Sequence, residues 1–434
     1  MHALKRTLSI LTFLLGSAAC AQQNLTLCAA ALQESSYRPE DTWAMLAGQG
    51  KDGWLFGRGD YSTGSTLNYS KEVLRELSET FKAQGIQLVI VDVPSRLLLS
   101  QQHLDMERLV PFNADRIRNT YADLHDELNE IGIIAPNLLE DGFKYTQGPY
   151  FQKTDHHWTT EAAKHVAGLI AAEIKKLPAY AEMQKTEYTL ESKPLGNNGS
   201  YARMANNICN TTFPDETINV YTAVPKTEGD LLSGDEPDVV LLGTSFSHRR
   251  EFTTDDTFPE ALKFELQTDV LNAAVEGGMS FGAMESYLMS DSYKNHKPKV
   301  IVWENNFYMG ELSNVWALWR MIPLARGGCS DQVTYKGQGD LKSRTTIALP
   351  DNLKIEPGSA LKLNFSDLKA TDFQLGLDYG TDVMNMQQSR TWRIPNNGEF
   401  YLQLARPQPI QEIQLNFYRP DISGQYEVSI CKMK

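Results

Sequence analysis

Four short apolar runs restrict the fold of this chain more than any other feature. IQLVIVDVP (86–94), DVVLLGTSFS (238–247), TDVLNAAVEGG (268–278) and KVIVWENNF (299–307) are rich in Val, Ile and Leu and stop at Pro, Ser, Gly or Asn. Such near-continuous runs read as strands buried on both faces, which a parallel sheet covered by helices requires. Helical patterns precede and separate them. Residues 70–84 place Val73, Leu74, Leu77 and Phe81 on one face, residues 113–130 look helical, and TTEAAKHVAGLIAAEIKKL (159–177) is amphipathic with Thr159 or Thr160 as N-cap. IGIIAPNLLE adds a further expected strand, and GQGKDGWLFGRGD (48–60) reads as a tight turn feeding a buried edge strand. Residues 180–235 are polar and turn-rich, with no regular pattern. The expected class is α/β, a parallel sheet with helices on both faces, in which ligands bind beyond the carboxyl ends of the strands.

The pattern changes near residue 325. Beyond it, alternating stretches such as ALKLNFSDL, FYLQLARP and EIQLNFYRP are separated by Gly, Pro and Asn turns. A C-terminal β-sandwich of roughly 105 residues is expected there. A chain of 434 residues exceeds one ordinary core, which divides it into 22–325 and 326–434. Residues 1–21 have the layout of a secretory signal peptide: Lys5 and Arg6, an apolar run from Leu8 to Leu15, then Ala19-Cys20-Ala21. The run is too short for a stable membrane span. A lipoprotein modified at Cys20 is the rival reading, although Ser17 stands where Leu is usual. An exported chain meets an oxidising compartment, so Cys28, Cys209, Cys329 and Cys431 are expected to pair. Pairs Cys28–Cys209 and Cys329–Cys431 would each close within one domain. No C-x-x-C spacing points to zinc. The net charge of -13 argues against a nucleic-acid partner; an acidic polysaccharide would need a local basic groove.

Candidate chemistry starts at GTSFS, where Ser245 sits at the carboxyl end of a buried strand. A serine nucleophile needs a base. His103, His125 and His165 lie in or near helical stretches and read as surface residues. His248 is too near Ser245 in sequence to swing back over it, and His296 precedes a strand. That leaves TDHHW (154–158). In an extended segment residues i and i+2 share a face, so Asp155 could orient His157 while His156 turns away. The alternative is a helix-entry turn, with Asp155 as a cap and both histidines solvated.

The Asp-x-His-Trp motif before a helix, GKDGWLF near the N-terminus and the GTSxS strand end together resemble the alginate O-acetyltransferase (AlgX/AlgJ) family of the SGNH hydrolase-like clan. The likeness extends over nearly all of the chain beyond residue 21, including four cysteines and a C-terminal β-module. It implies a triad of Asp155, His157 and Ser245, in permuted chain order; geometry and role define such a triad, not order. It also implies an oxyanion hole, for which the amides of Ser245 and of Gly277 or Gly278 are candidates; those glycines could equally serve a strand-to-helix turn. Asn272 is a weaker candidate for the clan's asparagine block. Trp303-Glu304 would shape the substrate or pack in the core. The implied activity is acetyl transfer to mannuronate hydroxyls of alginate in the periplasm, with no metal or organic cofactor and with a membrane-bound acetyl-donor partner. A polyuronate needs cations: Arg96 at the cleft rim or in solvent, and Arg344, Lys369, Arg390 and Arg393 interleaved with Thr371, Phe373 and Trp392. KATDF (369–373) aligns with the family's carbohydrate-binding region, with Phe373 in place of a Trp.

Overall fold

In the computed structural model, which describes residues 27–105, 112–226, 236–250, 254–351 and 353–434, the four apolar runs form one parallel sheet. Its strands are β1 (Gln87–Val93), β2 (Val239–Leu242), β3 (Val270–Asn272) and β4 (Val300–Asn306), in spatial order β1-β4-β2-β3. Every residue of β2 and β4 is buried, which accounts for sequences without alternation. Two groups of helices flank the sheet. Val315–Ala325 packs on both Lys71–Lys82 and Ser280–Met289, and Thr160–Ile174 packs on Thr257–Leu266. The expected signal peptide at residues 1–21, including Cys20, lies outside the described residues.

Of three local expectations, two change. IGIIAPNLLE forms no strand; Ile134 makes a single bridge to Val89, and Asn137 then caps the helix Leu138–Gly142 by accepting from the Glu140 amide at 3.0 Å. Pro136 removes the donor that a longer ladder would need. The GWLFG expectation holds: the turn Lys51–Gly53 feeds the buried strand Leu55–Gly57, which pairs antiparallel with Leu46–Gln49 in a sheet of two strands. Residues 180–226 are regular rather than patternless, with Tyr188–Asn197 and Glu216–Pro225 paired along ten residues each around the helix Ser200–Cys209. Most of Tyr188–Asn197 is accessible to solvent. No hydrophobic period advertises it.

Beyond Gly328 the chain forms β5 (Cys329–Lys342), β6 (Arg344–Ala348), β7 (Ser359–Phe365), β8 (Asp372–Asp378), β9 (Val383–Ser389), β10 (Glu399–Gln403), β11 (Glu412–Phe417) and β12 (Ser423–Met433). They make two antiparallel sheets, β6-β11-β8-β9 and β10-β7-β12-β5, with one shared core. The rings of Phe365, Phe373, Phe400 and Phe417 meet at its centre, with centroids 5.0 to 5.6 Å apart. Phe373 is 0% exposed, which corrects its expected role as a sugar platform. The alternation that makes β8 a strand turns position 373 inward.

Both expected disulfides form, Cys28–Cys209 and Cys329–Cys431. A buried ionic cluster joins the β-sheets to the helices. Glu285 on Ser280–Met289 holds Arg320 Nε at 2.5 Å and faces Arg390 Nε at 4.0 Å, and Arg320 donates to Gln388 at 3.3 Å. Arg390, expected among the polymer-binding cations, is buried in this cluster. Removing Glu285 would leave two cations buried against each other. Glu285→Ala is predicted to lower stability by about 3–5 kcal/mol, measured by urea denaturation, with Glu285→Gln less damaging.

Candidate functional site

TDHHW is a closed loop rather than an extended segment. A bridge between Phe151 and Trp158 closes it, Gln152 N donates to His157 O at 3.0 Å, and Thr159 N donates to Tyr150 O at 2.9 Å. Thr159 then caps the helix Thr160–Ile174 by accepting from the Ala162 amide. The Ser200–Cys209 helix meets this loop end-on: the amides of Tyr201 and Ala202 each donate to Thr154 O at 3.1 Å. Gly199 permits the approach, since a Cβ there would lie 2.3 Å from Thr154 O. Trp158 reaches across to the second element of the site, its indole N–H donating to Phe246 O at 3.1 Å.

Within this frame an acid, an imidazole and a hydroxyl stand in line. Asp155 Oδ1 lies 2.6 Å from His157 Nδ1, and His157 Nε2 lies 2.8 Å from Ser245 Oγ. Asp155 is 0% exposed, His157 is buried and Ser245 is half-buried. The carboxylate also accepts from the amides of His157 and Ser200, each at 3.1 Å, from the Ser200 hydroxyl at 3.2 Å and from Arg249 Nη2 at 3.1 Å. Burial alone would raise the Asp155 pKa, but Arg249 and then His157 hold it well below the usual carboxylate range. An ionised Asp155 can only accept, so Nδ1 of His157 carries the proton and Nε2 accepts from Ser245. Burial first, and the Arg249 charge second, depress the His157 pKa, although Asp155 opposes both. At neutral pH the imidazole is therefore a free base, able to take the hydroxyl proton.

Several sequence expectations meet a different outcome here. His156 does not turn away: because the loop is closed, its ring centroid lies 3.7 Å from that of His157, and its Nδ1 is 2.8 Å from Ser200 Oγ. It lines the site together with Trp43, which meets it edge-on and stacks on Tyr308 at 5.7 Å. Arg96 reaches neither a cleft rim nor solvent. It is 3% exposed, pairs with Asp60 at 3.0 Å and donates to the carbonyls of Leu55, Gln152 and Lys153, tying GWLFGRGD to the TDHHW loop. His125 is buried rather than on the surface, and burial lowers its pKa to about 4. The Gly278 amide is spent on Val275 O at 2.9 Å, which corrects its expected role as an oxyanion donor. Gly277 adopts φ +68° beneath the Arg393 side chain, a backbone conformation that strains any residue with a Cβ. Asn272 is also spent locally, donating to Ser247 O at 3.1 Å and accepting from Ala274 N at 3.2 Å.

Of the C-terminal candidates, Trp392 is 84% exposed and lies 4.4 Å from the Arg393 guanidinium. Arg344 is exposed, Thr371 is half-buried, and Lys369 pairs with Asp421 at 3.1 Å. Arg249, Ser200 and Asn197, which accepts from Arg249 at 3.0 Å, are the site residues that sequence reasoning missed. Asp155, His156 and His157 present ligand atoms close enough together to hold a cation. His157 Nδ1 and Nε2 are, however, engaged by Asp155 and Ser245, and the Arg249 charge already occupies the far side of the carboxylate. The donor set fits proton transfer better than metal binding.

Residues 48–307 match the family described as SGNH hydrolase-like domain, acetyltransferase AlgX. Over 448 aligned positions the chain is 30% identical to the alginate biosynthesis protein AlgX of Azotobacter vinelandii, spanning 95% of this chain and 89% of that protein. It is 32% identical over 267 residues to the probable alginate O-acetylase AlgJ of Pseudomonas fluorescens, 59% of this chain and 66% of that protein. Its fold is similar to the solved structure of Pseudomonas aeruginosa AlgX, with a TM-score of 0.78, 22% identity, and coverage of 94% of this chain and 99% of that one.

The Arg249 charge has a direct spectroscopic consequence. It stands against the imidazolium form of His157, so its removal favours protonation. In Arg249→Met the His157 pKa is predicted to rise above that of the unaltered protein, and in Arg249→Lys to stay near it. Imidazole ¹H–¹⁵N NMR titration measures both; an unchanged midpoint in Arg249→Met would show that the cation does not act on this ring.

Proposed function

Because this chain belongs to the AlgX acetyltransferase family of SGNH hydrolase-like proteins, we propose that it is an O-acetyltransferase that moves acetyl groups through Ser245 to hydroxyls of mannuronate residues in alginate. The observation that carries this reading is the line from Asp155 through His157 to Ser245 Oγ, with contacts of 2.6 and 2.8 Å. In the first step Ser245 Oγ attacks the carbonyl carbon of a donor acetyl ester as His157 Nε2 takes its proton. The tetrahedral intermediate collapses, the donor oxygen leaves with that proton, and acetyl-Ser245 remains. In the second step a mannuronate hydroxyl gives its proton to His157 and attacks the acetyl group, and the proton then returns to Ser245 Oγ. Asp155 stays ionised throughout and stabilises the imidazolium in both steps. The amides of Ser245 and Gly277 are the proposed oxyanion donors.

The reaction uses side chains and backbone dipoles alone and calls for no metal or organic cofactor. The polymer is held by the C-terminal region, with exposed Arg344 and Lys369 and half-buried Thr371 meeting carboxylates and hydroxyls and exposed Trp392 meeting a sugar face. The acetyl donor is supplied by a membrane-bound partner, and the chain works in the periplasm after its first 21 residues direct export. Two disulfides suit that oxidising location.

Acceptor choice separates transfer from hydrolysis, since water attacking acetyl-Ser245 would make the same site an esterase. The protein is predicted to place acetyl on oligomannuronate when incubated with an acetyl-ester chromogen. Ser245→Ala should lose at least about a thousandfold in rate. Free acetate as the sole product, with oligomannuronate present, would assign an esterase instead. Normal acetylation by Ser245→Ala would assign a non-catalytic scaffold.

A further inference from the structure

A second buried carboxylate lies directly beneath the Ser245 turn. Glu304, at the end of β4, is 0% exposed. It accepts from the Thr244 amide at 2.7 Å, from the Thr244 hydroxyl at 3.0 and 3.1 Å, and from the Ser247 hydroxyl at 3.1 Å, and Asn306 Nδ2 stands 3.5 Å away. Thr244 and Ser247 bracket Ser245. Gly243 makes room for the contact, because a Cβ there would lie 2.4 Å from Glu304 Oε2. The donors converging on Glu304 are all neutral, and the titratable groups packed around it are Asp92 from β1 and Tyr308 and Glu311 after β4. Beyond Ser245 stand His157 and Asp155.

We propose that Glu304 is a positioning residue whose ionised carboxylate clamps Thr244 and Ser247 and so holds Ser245 Oγ on His157 Nε2. The inference rests on the reading of Ser245 as the nucleophile. A carboxylate with only neutral donors is costly to bury, and charge-assisted hydrogen bonds offset part of that cost. Burial raises the Glu304 pKa to about 7, with Thr244 opposing and Glu311 adding to the rise. Glu311 is itself pushed to about 7 by burial, and Asp92 lies well above its ordinary range. The clamp is therefore charged above about pH 7 and neutral below it.

Protonation would turn one carboxyl oxygen into a donor and take an acceptor from the clamp. The sign of the stability effect is opposite. A folded-state pKa above the unfolded one means that the native protein binds the proton more tightly. Stability is thus highest below the ordinary carboxylate range and falls as pH rises through about 7. Rate and stability should move in opposite directions as Glu304 ionises, which a residue that only packs would not produce.

The test compares the unaltered protein, Glu304→Gln, Thr244→Val and Ser245→Ala in acetyl-ester turnover from about pH 5 to pH 9, with thermal unfolding of each. Turnover of the unaltered protein is expected to rise through a limb at about 7, above the limb set by His157. Glu304→Gln, which copies the neutral acid, should lose that limb and run roughly tenfold slower at alkaline pH. Its melting temperature there should equal or exceed that of the unaltered protein. Thr244→Val should fall between the two in rate. Glu304→Gln with an unaltered rate and limb, or with a rate loss matched by lower stability at alkaline pH, would overturn the clamp while leaving Ser245→Ala inactive. Retained turnover in Ser245→Ala would instead remove the nucleophile on which the clamp depends.

Discussion

The buried negative charge of Asp155 is the interaction on which the site depends. A carboxylate with no solvent contact survives in a folded protein only when its lone pairs are filled and an opposite charge lies close. Asp155 has both, in Arg249 and in the donors of His157 and Ser200. Each partner comes from a different part of the chain. The loop before Thr160–Ile174 supplies the acid and the imidazole, the turn after β2 supplies the hydroxyl and the cation, and Ser200–Cys209 supplies amide and hydroxyl donors. Losing the turn after β2 would leave the charge without its cation, and losing Ser200–Cys209 would strip it of two neutral donors.

The rest of the architecture delivers those segments to one place. Parallel strands send β2, β3 and β4 to a common edge, so their following turns meet there. Arg96 and Asp60 pin the N-terminal segment to the TDHHW loop from below, and Trp158 joins that loop to the Ser245 turn. Cys28–Cys209 anchors the far end of the helix that donates to Asp155. The Glu285–Arg320–Arg390 cluster and the residues Ala360, Cys431 and Met433, which join the helical core, fix the antiparallel sheets against the same body. Two kinds of buried charge result. Asp155 is paired and strongly acidic, whereas Glu304 is held by neutral donors and sits at about 7.

What could be read from the sequence was whatever leaves a local pattern. The apolar runs of β1, β2 and β4 and the alternation of β7, β10 and β11 reflect burial along a single element, and the Thr159 cap marks a helix start. The meeting of Asp155, His157 and Ser245 was legible because Asp-x-His-Trp and GTSxS are short motifs. Arg249 was not, since a basic residue four positions after a serine carries no signal until the turn folds back on Asp155. Ser200 and Asn197 lie in a stretch whose strands are mostly wet and so have no hydrophobic period. Arg96 failed for a related reason. An Arg in a strand-end turn reads as exposed, and its counter-charge at Asp60 lies thirty-six residues earlier. Glu304 read as core or cleft, and only the contacts of Gly243 and Thr244 reveal what it touches.

The central claim is that the imidazole of His157 makes the Ser245 hydroxyl a nucleophile that carries the acetyl group. The most direct measurement is mass spectrometry of peptides after brief exposure to an acetyl-ester donor and acid quenching. The account predicts an added acetyl group on the peptide containing Ser245 in the unaltered protein, and a much slower build-up when His157 is replaced by Ala. Acetyl found on another residue, or turnover without any acetylated Ser245 under quenching that preserves the ester, would contradict it.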